Sequence, residues 1–489
     1  MNMDGTLEEK GLELFLPFCD KTVTHDETVE IIIPDHQPEA RKLLSVWARV
    51  LPPAKYVNGT AVELNGGIDC TALYIGGDGE VYSATGSGEY ECSAPIEKWD
   101  WAEPADAAQV IADSSCENAS GRISSGGKIS VKCRLSSRIR AYGLYSGGDA
   151  SSPDAQILYG KGEGIRVFPL STEPIELSGE ISSVAEDVRV VSADGKVLVR
   201  EISNSPDGVT VSGEILAELL TAREGQPLST MTLKLPFSSE ADCEASGDGF
   251  LSRAWGELTD ITVTVEDGAV RVGVIAVIHG ELAKSVDCHY PKDAYFLDRD
   301  SQCKTESVML PALKACTIGN FSWSERVPLS EASLREGAGI IKARCEPRFA
   351  TCECVDGKYV FTGTCKYIFL CEREGEYFTS ELEKPIRYEV SGEMGENISF
   401  SASAREISCK GRIEGETLCV DSEIGVHSFV SASEKIDVLT DITEGAELCK
   451  KGCRMTVYFP ADNEGRWEVA KKYHVPVSTL TEESRYYIF

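Results

Sequence analysis

Short runs of β-branched and aromatic residues recur along the chain, separated by Gly, Asn, Asp and charged residues. Examples are Ile68–Ile75, Ile261–Val265, Val270–Ile278 and Thr364–Cys371. Such runs predict strands, because branched and aromatic side chains suit a pleated surface. Apolar residues rarely keep helical spacing over more than two turns. The pattern therefore predicts a mainly β protein, with strands covered on both faces as in a sandwich.

Two stretches depart from this pattern and predict helices. The first is Asp35 to Val46, where Asp35 would cap a first turn that contains Pro38 and Glu39. The second is Arg466 to Tyr473, near the end of the chain. Side-chain caps and Pro in the first turn are typical of helix starts.

Turn glycines reveal an internal repeat. Asn58-Gly59, Asp207-Gly208 and Asp356-Gly357 are evenly spaced, since 208 − 59 and 357 − 208 both equal 149. Each pair opens the same order of short strand, small-residue break and longer strand, and Asx-Gly supplies the positive φ that a tight hairpin needs. We expect three tandem β-rich, sandwich-like copies at residues 1–150, 165–310 and 325–447, with linkers at Ser146–Asp154 and around Gly319–Glu325.

Charge and composition narrow the functional classes. The 489 residues hold 48 Lys and Arg against 79 Asp and Glu, a net charge of −31. A surface of that sign repels phosphate backbones and anionic lipids, so we expect no nucleic-acid partner. Without a long apolar run or a basic, apolar leader we expect no membrane insertion and no export. The 18 Cys, about 4% of the chain, then predict free thiols in a reducing cytoplasm.

Candidate chemistry is sparse. The nucleophile-elbow, zinc-protease and nucleotide-loop motifs are absent from the sequence, and we expect neither an enzyme nor a cofactor. Gly160-Lys-Gly-Glu-Gly164 is interpreted as a flexible loop rather than a phosphate cradle. Cys352 and Cys354, which share one strand face, are the core of a thiol group that also contains Cys345, Cys365, Cys371, Cys449 and Cys453. Core filling is favoured over zinc, and a metal-dependent enzyme remains an alternative.

The opening of the first copy carries a family resemblance. Glu30-Ile-Ile-Ile-Pro-Asp-His-Gln-Pro-Glu-Ala, Leu43-Leu-Ser-Val, Asn58-Gly59 and Cys70-Thr-Ala-Leu-Tyr-Ile resemble SPOCS domains, the modules of spore-coat morphogenesis proteins. Leu235-Pro-Phe237 continues the resemblance in the second copy. The second and third copies lack the Pro-Asp-x-x-Pro opening, which suggests non-equivalent repeats.

The tail, residues 453–489, is similar to a LysM module, a small α/β unit that often follows SPOCS repeats. The similar residues are Met455-Thr-Val-Tyr-Phe and Trp467-Glu-Val-Ala-Lys-Lys-Tyr-His-Val-Pro-Val-Ser-Thr-Leu480. The sugar-binding loops of LysM are replaced here by Asn463-Glu-Gly-Arg466 and Thr481-Glu-Glu-Ser. The resemblance therefore implies a retained fold with a contact other than glycan.

Together these resemblances imply a non-enzymatic scaffold or adaptor for spore coat or envelope assembly, acting by protein–protein contact in the mother-cell cytoplasm at the forespore surface. The implied partners are the coat basement-layer ATPase and other coat proteins. We expect the contact at residues beside the tail helix, namely Arg466, Trp467, Lys471, Lys472 and His474. Trp467 is also interpreted as a core residue of the module. The alternatives are a peptidoglycan- or cortex-glycan-binding LysM protein, and a tail that only caps the third repeat.

Overall fold

A computed structural model describes residues 13–96, 108–125, 127–146, 155–392, 397–448, 455–461, 464–483 and 486–489. These residues form twenty-three strands, one α-helix and one 3-10 helix, so the mainly β class is confirmed. The sequence expected to link the first two copies lies largely outside the described residues, which resume at Ala155. None of the described helices has the length and apolarity needed to span a membrane.

The first unit, residues 13–146, contains two antiparallel sheets. Its strands are β1 (Glu13–Ile32), β2 (Ala40–Val50), β3 (Ala54–Val57), β4 (Ala61–Gly76), β5 (Val81–Pro95), β6 (Gln109–Ser124) and β7 (Lys128–Ser146). One sheet has the order β1–β7–β6. In the other, β4 pairs with β2 and β3 along one edge and with β5 along the other. The two sheets share a core that includes Ile31, Ile68, Cys70, Val131 and Cys133.

The second unit, residues 155–296, pairs its strands in a similar way. The strands are β8 (Ala155–Ser171), β9 (Ile175–Ile181), β10 (Arg189–Ser205), β11 (Gly208–Arg223), β12 (Gln226–Cys243), β13 (Leu251–Glu266) and β14 (Ala269–Phe296). β10, β11 and β12 lie side by side, and β14 pairs with β8 and β9 on one side and β13 on the other. A pairing of two residues between β12 and β8 joins strands β10, β11 and β12 to strands β8, β9, β13 and β14.

The third unit, residues 299–447, repeats the scheme. Its strands are β15 (Arg299–Pro328), β16 (Gly339–Val355), β17 (Lys358–Arg373), β18 (Glu376–Ser391), β19 (Ile398–Glu414) and β20 (Thr417–Glu447). The sheets have the orders β15–β20–β19 and β16–β17–β18. Only Leu297 and Asp298 separate β14 from β15, so the second and third units follow each other directly.

The Asx-Gly turns form the hairpins expected from the sequence. Gly59, Gly208 and Gly357 have φ of 85°, 145° and 73°. Gly59 lies between β3 and β4, Gly208 is the first residue of β11 after the turn from β10, and Gly357 lies between β16 and β17, all antiparallel neighbours. A glycine adopts such angles at little steric cost, which explains its place at each turn.

Three sequence predictions of local structure are wrong. Residues 40–46 of the predicted helix Asp35–Val46 belong to β2, whose ladder with β4 outweighs a local cap. Gly319–Glu325, expected as a linker, lies within β15, which pairs with β20 throughout this stretch. Gly160–Gly164, expected as a loop, lies within β8. A Cβ at Gly160 would come within 2.5 Å of the Tyr290 ring, so the glycine serves close packing.

The three units meet around one shared core. Ten buried side chains from all three contribute: Phe15, Ile111, Tyr142, Ile165, Val167, Trp255, Ala283, Leu313, Cys316 and Phe429. At its centre Glu281 accepts hydrogen bonds from Arg140 Nη2 at 2.6 and 2.7 Å and from Arg253. The Arg140 guanidinium lies 4.3 Å from the Phe429 ring centroid.

Arg140, Glu281 and Phe429 occupy corresponding places in the three units. Each stands twelve residues after the first residue of its strand, at Lys128 in β7, Ala269 in β14 and Thr417 in β20. All three side chains are buried. The units are therefore fastened by a buried ion pair and a cation–π contact as well as by apolar packing.

The C-terminal module, defined by the described residues of 455–489, is a small α/β unit. It contains β21 (Val457–Tyr458), helix α1 (Arg466–Tyr473), a 3-10 turn at Val477–Thr479, β22 (Thr481–Glu483) and β23 (Tyr486–Ile488). The sheet order is β21–β23–β22. The predicted helix Arg466–Tyr473 and a final strand within Tyr486–Phe489 are confirmed.

Candidate partner-binding surface

Helix α1 is short and ends in a left-handed C-cap residue. Gly465 precedes it in an extended conformation, Glu468 lies in the first turn, and Lys471 and Lys472 lie in the last, where their charges suit the helix dipole. His474 ends the helix with a φ of 49° and its backbone N–H bonds the carbonyl of Lys471.

One side of α1 faces the end of β14. Asp293 accepts a hydrogen bond from Trp467 Nε1 at 2.8 Å on one oxygen and from Lys471 Nζ at 2.6 Å on the other. Burial opposes ionisation of Asp293, but the hydrogen bonds from Lys471 and Trp467 outweigh it and lower the pKa of the carboxyl. We call this arrangement the Asp293 clamp.

Apolar contacts reinforce the clamp. Tyr295 is fully buried, its ring centroid lies 5.0 Å from that of Trp467 in an edge-on arrangement, and its hydroxyl donates to Val475 O at 2.7 Å. Burial raises the pKa of Tyr295 to about 12. His474 Nδ1 bonds the carbonyl oxygen of Phe296 at 2.7 Å. The module is thus docked on the second unit, beside the connection to the third.

The other two expected contact residues face solvent but have partners within the module. Arg466 donates to the carbonyl oxygens of Val477 and Leu480 at 3.1 and 2.6 Å. Lys472 donates to Tyr458 Oη at 2.6 Å and to Glu464 at 3.1 Å. The hydrogen bonds that Glu464 accepts from Tyr458, the Ala461 amide and Lys472 lower its pKa to about 2.

The five expected contact residues therefore divide into two groups. Arg466 and Lys472 are exposed, as expected, whereas Trp467, Lys471 and His474 are half-buried against the chain's own β14. The expectation that Lys471 would be free for a partner overlooked an acid in the neighbouring unit, and His474 is held instead by the backbone carbonyl of Phe296. Asp293-Ala-Tyr-Phe, an acid followed by aromatics, was the available sequence signal.

A second surface of the module was missed from the sequence. Met455, Val457 and Phe459 alternate along the segment that contains the edge strand β21, and they are 67%, 45% and 67% exposed. The Phe459 ring lies 5.4 Å from that of Tyr486 on the neighbouring strand, and Val457 pairs with Ile488. We call these five residues the outer sheet face. Their period of two was visible in the sequence, but not which side of the sheet would be covered.

The thiols lie mostly in sheet interiors. The sixteen Cys of the described residues form no disulfide, and Cys449 and Cys453 lie outside those residues. Cys70 and Cys133 approach to 3.5 Å between Sγ atoms across the first unit's sheets. Burial raises the pKa of the Cys352 thiol to about 11. Within the described ranges no group of three His, Cys, Asp or Glu side chains is arranged to hold a metal ion.

Two clefts open between units. One of about 370 Å³ lies between the first and third units and is lined by Trp47, Cys116, Arg344 and Glu381 among others. The other, about 230 Å³, lies between the second and third and reaches Arg405 and His427.

Comparison with known proteins finds no matching family, curated protein or solved structure.

Proposed function

We propose that this chain is a non-enzymatic scaffold or adaptor in spore coat or envelope assembly, with its partner contact on the C-terminal module. The observation that carries the proposal is the way the module is held: the Asp293 clamp and Tyr295 fix it to a body whose three units share one core. A three-unit body that presents a small docked module suits a protein that positions others.

The proposed architecture is three tandem SPOCS-like copies followed by a LysM-like module. The recurrence of one strand order in three units supports it, as do the three evenly spaced Asx-Gly hairpins. Several modules on one chain favour avidity on a polymerised surface, since the first contact raises the effective concentration of each later one. The proposed partner is the coat basement-layer ATPase, and the proposed place is the mother-cell side of the forespore surface.

The test is co-sedimentation of the intact purified chain with the polymerised basement-layer ATPase of the same genome, with unpolymerised ATPase and peptidoglycan sacculi in parallel. The proposal expects the chain to pellet with the polymer and to stay in the supernatant with sacculi. Retention by sacculi alone would favour the glycan-binding alternative. The double variant Arg466→Gln with Lys472→Gln removes the two exposed cations, and we expect weaker binding. Because both side chains also bond within the module, the thermal midpoint is measured in parallel, and we expect only a small fall.

A further inference from the structure

Three cysteines of the first unit lie in contact, and we call Cys70, Cys116 and Cys133 the thiol triad. Cys133, on β7, is the middle member. A hydrogen bond joins it to Cys116 on the adjacent strand β6. Its other neighbour is Cys70 on β4 of the opposite sheet, and the two Sγ atoms are 3.5 Å apart. The middle thiol therefore contacts one cysteine in each sheet of the unit.

The thiol triad extends from an open cleft into the core. Cys116 is half-buried and lines the cleft of about 370 Å³ between the first and third units. Cys70 and Cys133 are buried, each 0% exposed, and Cys116 packs against the core cluster that contains them. A small oxidant that enters the cleft therefore meets Cys116 first, with Cys133 directly behind it.

The separation of Cys70 and Cys133 suits a disulfide. Bonded sulfur atoms lie about 2 Å apart, so from 3.5 Å each sulfur would move by less than about 1 Å. The bond would tie β4 to β7, which belong to different sheets. A crosslink between residues that are distant in sequence stabilises a protein by restricting its unfolded chain.

The protonation of the thiols sets the conditions for reaction. The hydrogen bond from Cys116 favours the Cys133 thiolate, but the contact with Cys70 and burial outweigh it and raise the pKa of Cys133 to about 12. The hydrogen bond to Cys133, together with burial, raises the pKa of Cys116. Because the thiolate is the reactive form, the triad resists brief contact with an oxidant and reacts during sustained contact, faster at higher pH.

We propose that the thiol triad is an oxidation site at which hydrogen peroxide forms a disulfide between Cys70 and Cys133. The Cys116 thiolate attacks peroxide and becomes a sulfenic acid as hydroxide leaves. The Cys133 thiolate attacks the Cys116 sulfur and displaces a second hydroxide, which gives the Cys116–Cys133 disulfide. Cys70 then attacks the Cys133 sulfur and releases the Cys116 thiolate. In sum, two thiols and one peroxide become one disulfide and two waters.

The experiment exposes the reduced, intact chain to hydrogen peroxide for hours at mildly alkaline pH. Remaining thiols are blocked with iodoacetamide, and crosslinked peptides are mapped by mass spectrometry without reductant. Cleavage after Glu89 separates Cys70 from Cys92, so the two are distinguished. We expect the Cys70–Cys133 disulfide in wild type and equally in Cys288→Ser, a control at a buried cysteine of the second unit.

Two variants test the order of the steps. Cys116→Ser removes the thiol that lines the cleft, and the Cys70–Cys133 disulfide should form about tenfold more slowly. Cys70→Ser removes the thiol that completes the exchange, and the Cys116–Cys133 disulfide should accumulate instead. Thermal midpoints of the reduced proteins, measured in parallel, establish that each variant is folded before oxidation.

The outcomes decide the proposal independently of the proposed function. A Cys70–Cys133 disulfide that dithiothreitol reverses, and that forms more slowly in Cys116→Ser, supports it. Conversion of Cys116 to a sulfinic acid while Cys70 and Cys133 stay reduced overturns it. Equal rates in wild type and Cys116→Ser overturn it as well, because entry through the cleft is then wrong. Recovery of all three free thiols after sustained exposure has the same consequence.

Discussion

Glu257 is a buried acid at the junction of the three units, and its titration should be visible in stability. Its side chain, on β13, is 9% exposed, with Oε1 lying 3.6 Å from Arg405 Nη2. The same nitrogen lies 3.7 Å from Asp113 Oδ1. The Arg405 guanidinium of the third unit therefore lies close to two carboxylates, that of Asp113 in the first unit and that of Glu257 in the second.

Burial raises the pKa of Glu257 to about 7, Asp113 adds to the rise, and Arg405 and Lys55 oppose it. His279 faces the same cluster, and burial lowers its pKa to about 4, so it stays neutral near pH 7. The folded-state pKa of Glu257 exceeds the unfolded value of 4.5. Its stabilising contribution is therefore complete below pH 4.5 and is lost as pH rises through about 7.

The variant Glu257→Gln tests this directly. The interval from 4.5 to about 7, at about 1.4 kcal/mol for each pH unit, corresponds to roughly 3 kcal/mol. Near pH 5 the variant and wild type should be about equally stable, since both carry a neutral group. Near pH 9 the variant should be more stable by up to about 3 kcal/mol, because burial of the ionised Glu257 carboxylate destabilises the folded wild type.

Urea unfolding followed by circular dichroism from pH 5 to pH 9 provides the measurement, taken as variant minus wild type so that other titrations cancel. Glu240→Gln, on an exposed position of β12, is the control for the loss of one carboxylate away from the junction. A pH-independent difference for Glu257→Gln, or a variant less stable at pH 9, would refute the reasoning.

Three further changes probe other features. Glu281→Gln leaves two buried guanidinium groups without a counter-ion, so urea unfolding should show a loss of about 3 to 5 kcal/mol. Asp293→Asn weakens the clamp, and limited proteolysis of the C-terminal module should accelerate several-fold. The wild-type stabilisation should fade as pH drops through the lowered pKa of Asp293. Gly160→Ala forces a Cβ against an aromatic ring, whereas Gly77→Ala meets open space; thermal unfolding should show a loss of about 1 to 3 kcal/mol for the first alone.

Features fixed by neighbouring residues were predictable from the sequence. The Asx-Gly hairpin at Gly357 needs only local backbone geometry, and helix Arg466–Tyr473 needs only its own spacing. Features that depend on distant partners were not. The cap at Asp35 indicates a helix, but β4, remote in sequence, draws residues 40–50 into a ladder. The sequence around Gly160 is rich in glycine, as loops often are. Gly160 nevertheless lies in strand β8, where the ring of Tyr290, 130 residues away, leaves no room for a Cβ.

The residues of the candidate site show the same difference between features set by neighbouring residues and features set by distant ones. Lys471 and its neighbours were identified as charged and helical, but charge alone does not reveal whether a cation meets solvent or an acid elsewhere in the chain. The outer sheet face required knowing which side of the sheet the helix covers. The partner of Lys471 and the exposed side of the sheet both depend on how distant segments pack against each other. A local sequence pattern does not contain that information.

The unlike residues at corresponding positions of the central junction have a consequence for how the molecule comes together. Identical subunits around a threefold axis would present three copies of one side chain there, and like charges would repel. With Arg140, Glu281 and Phe429 in one polypeptide, each unit recognises a different neighbour. A junction in which one unit were replaced by a copy of another would contain a buried charge without its partner. Fusion of the three units into a single chain thus ensures that the junction contains one copy of each of these three side chains.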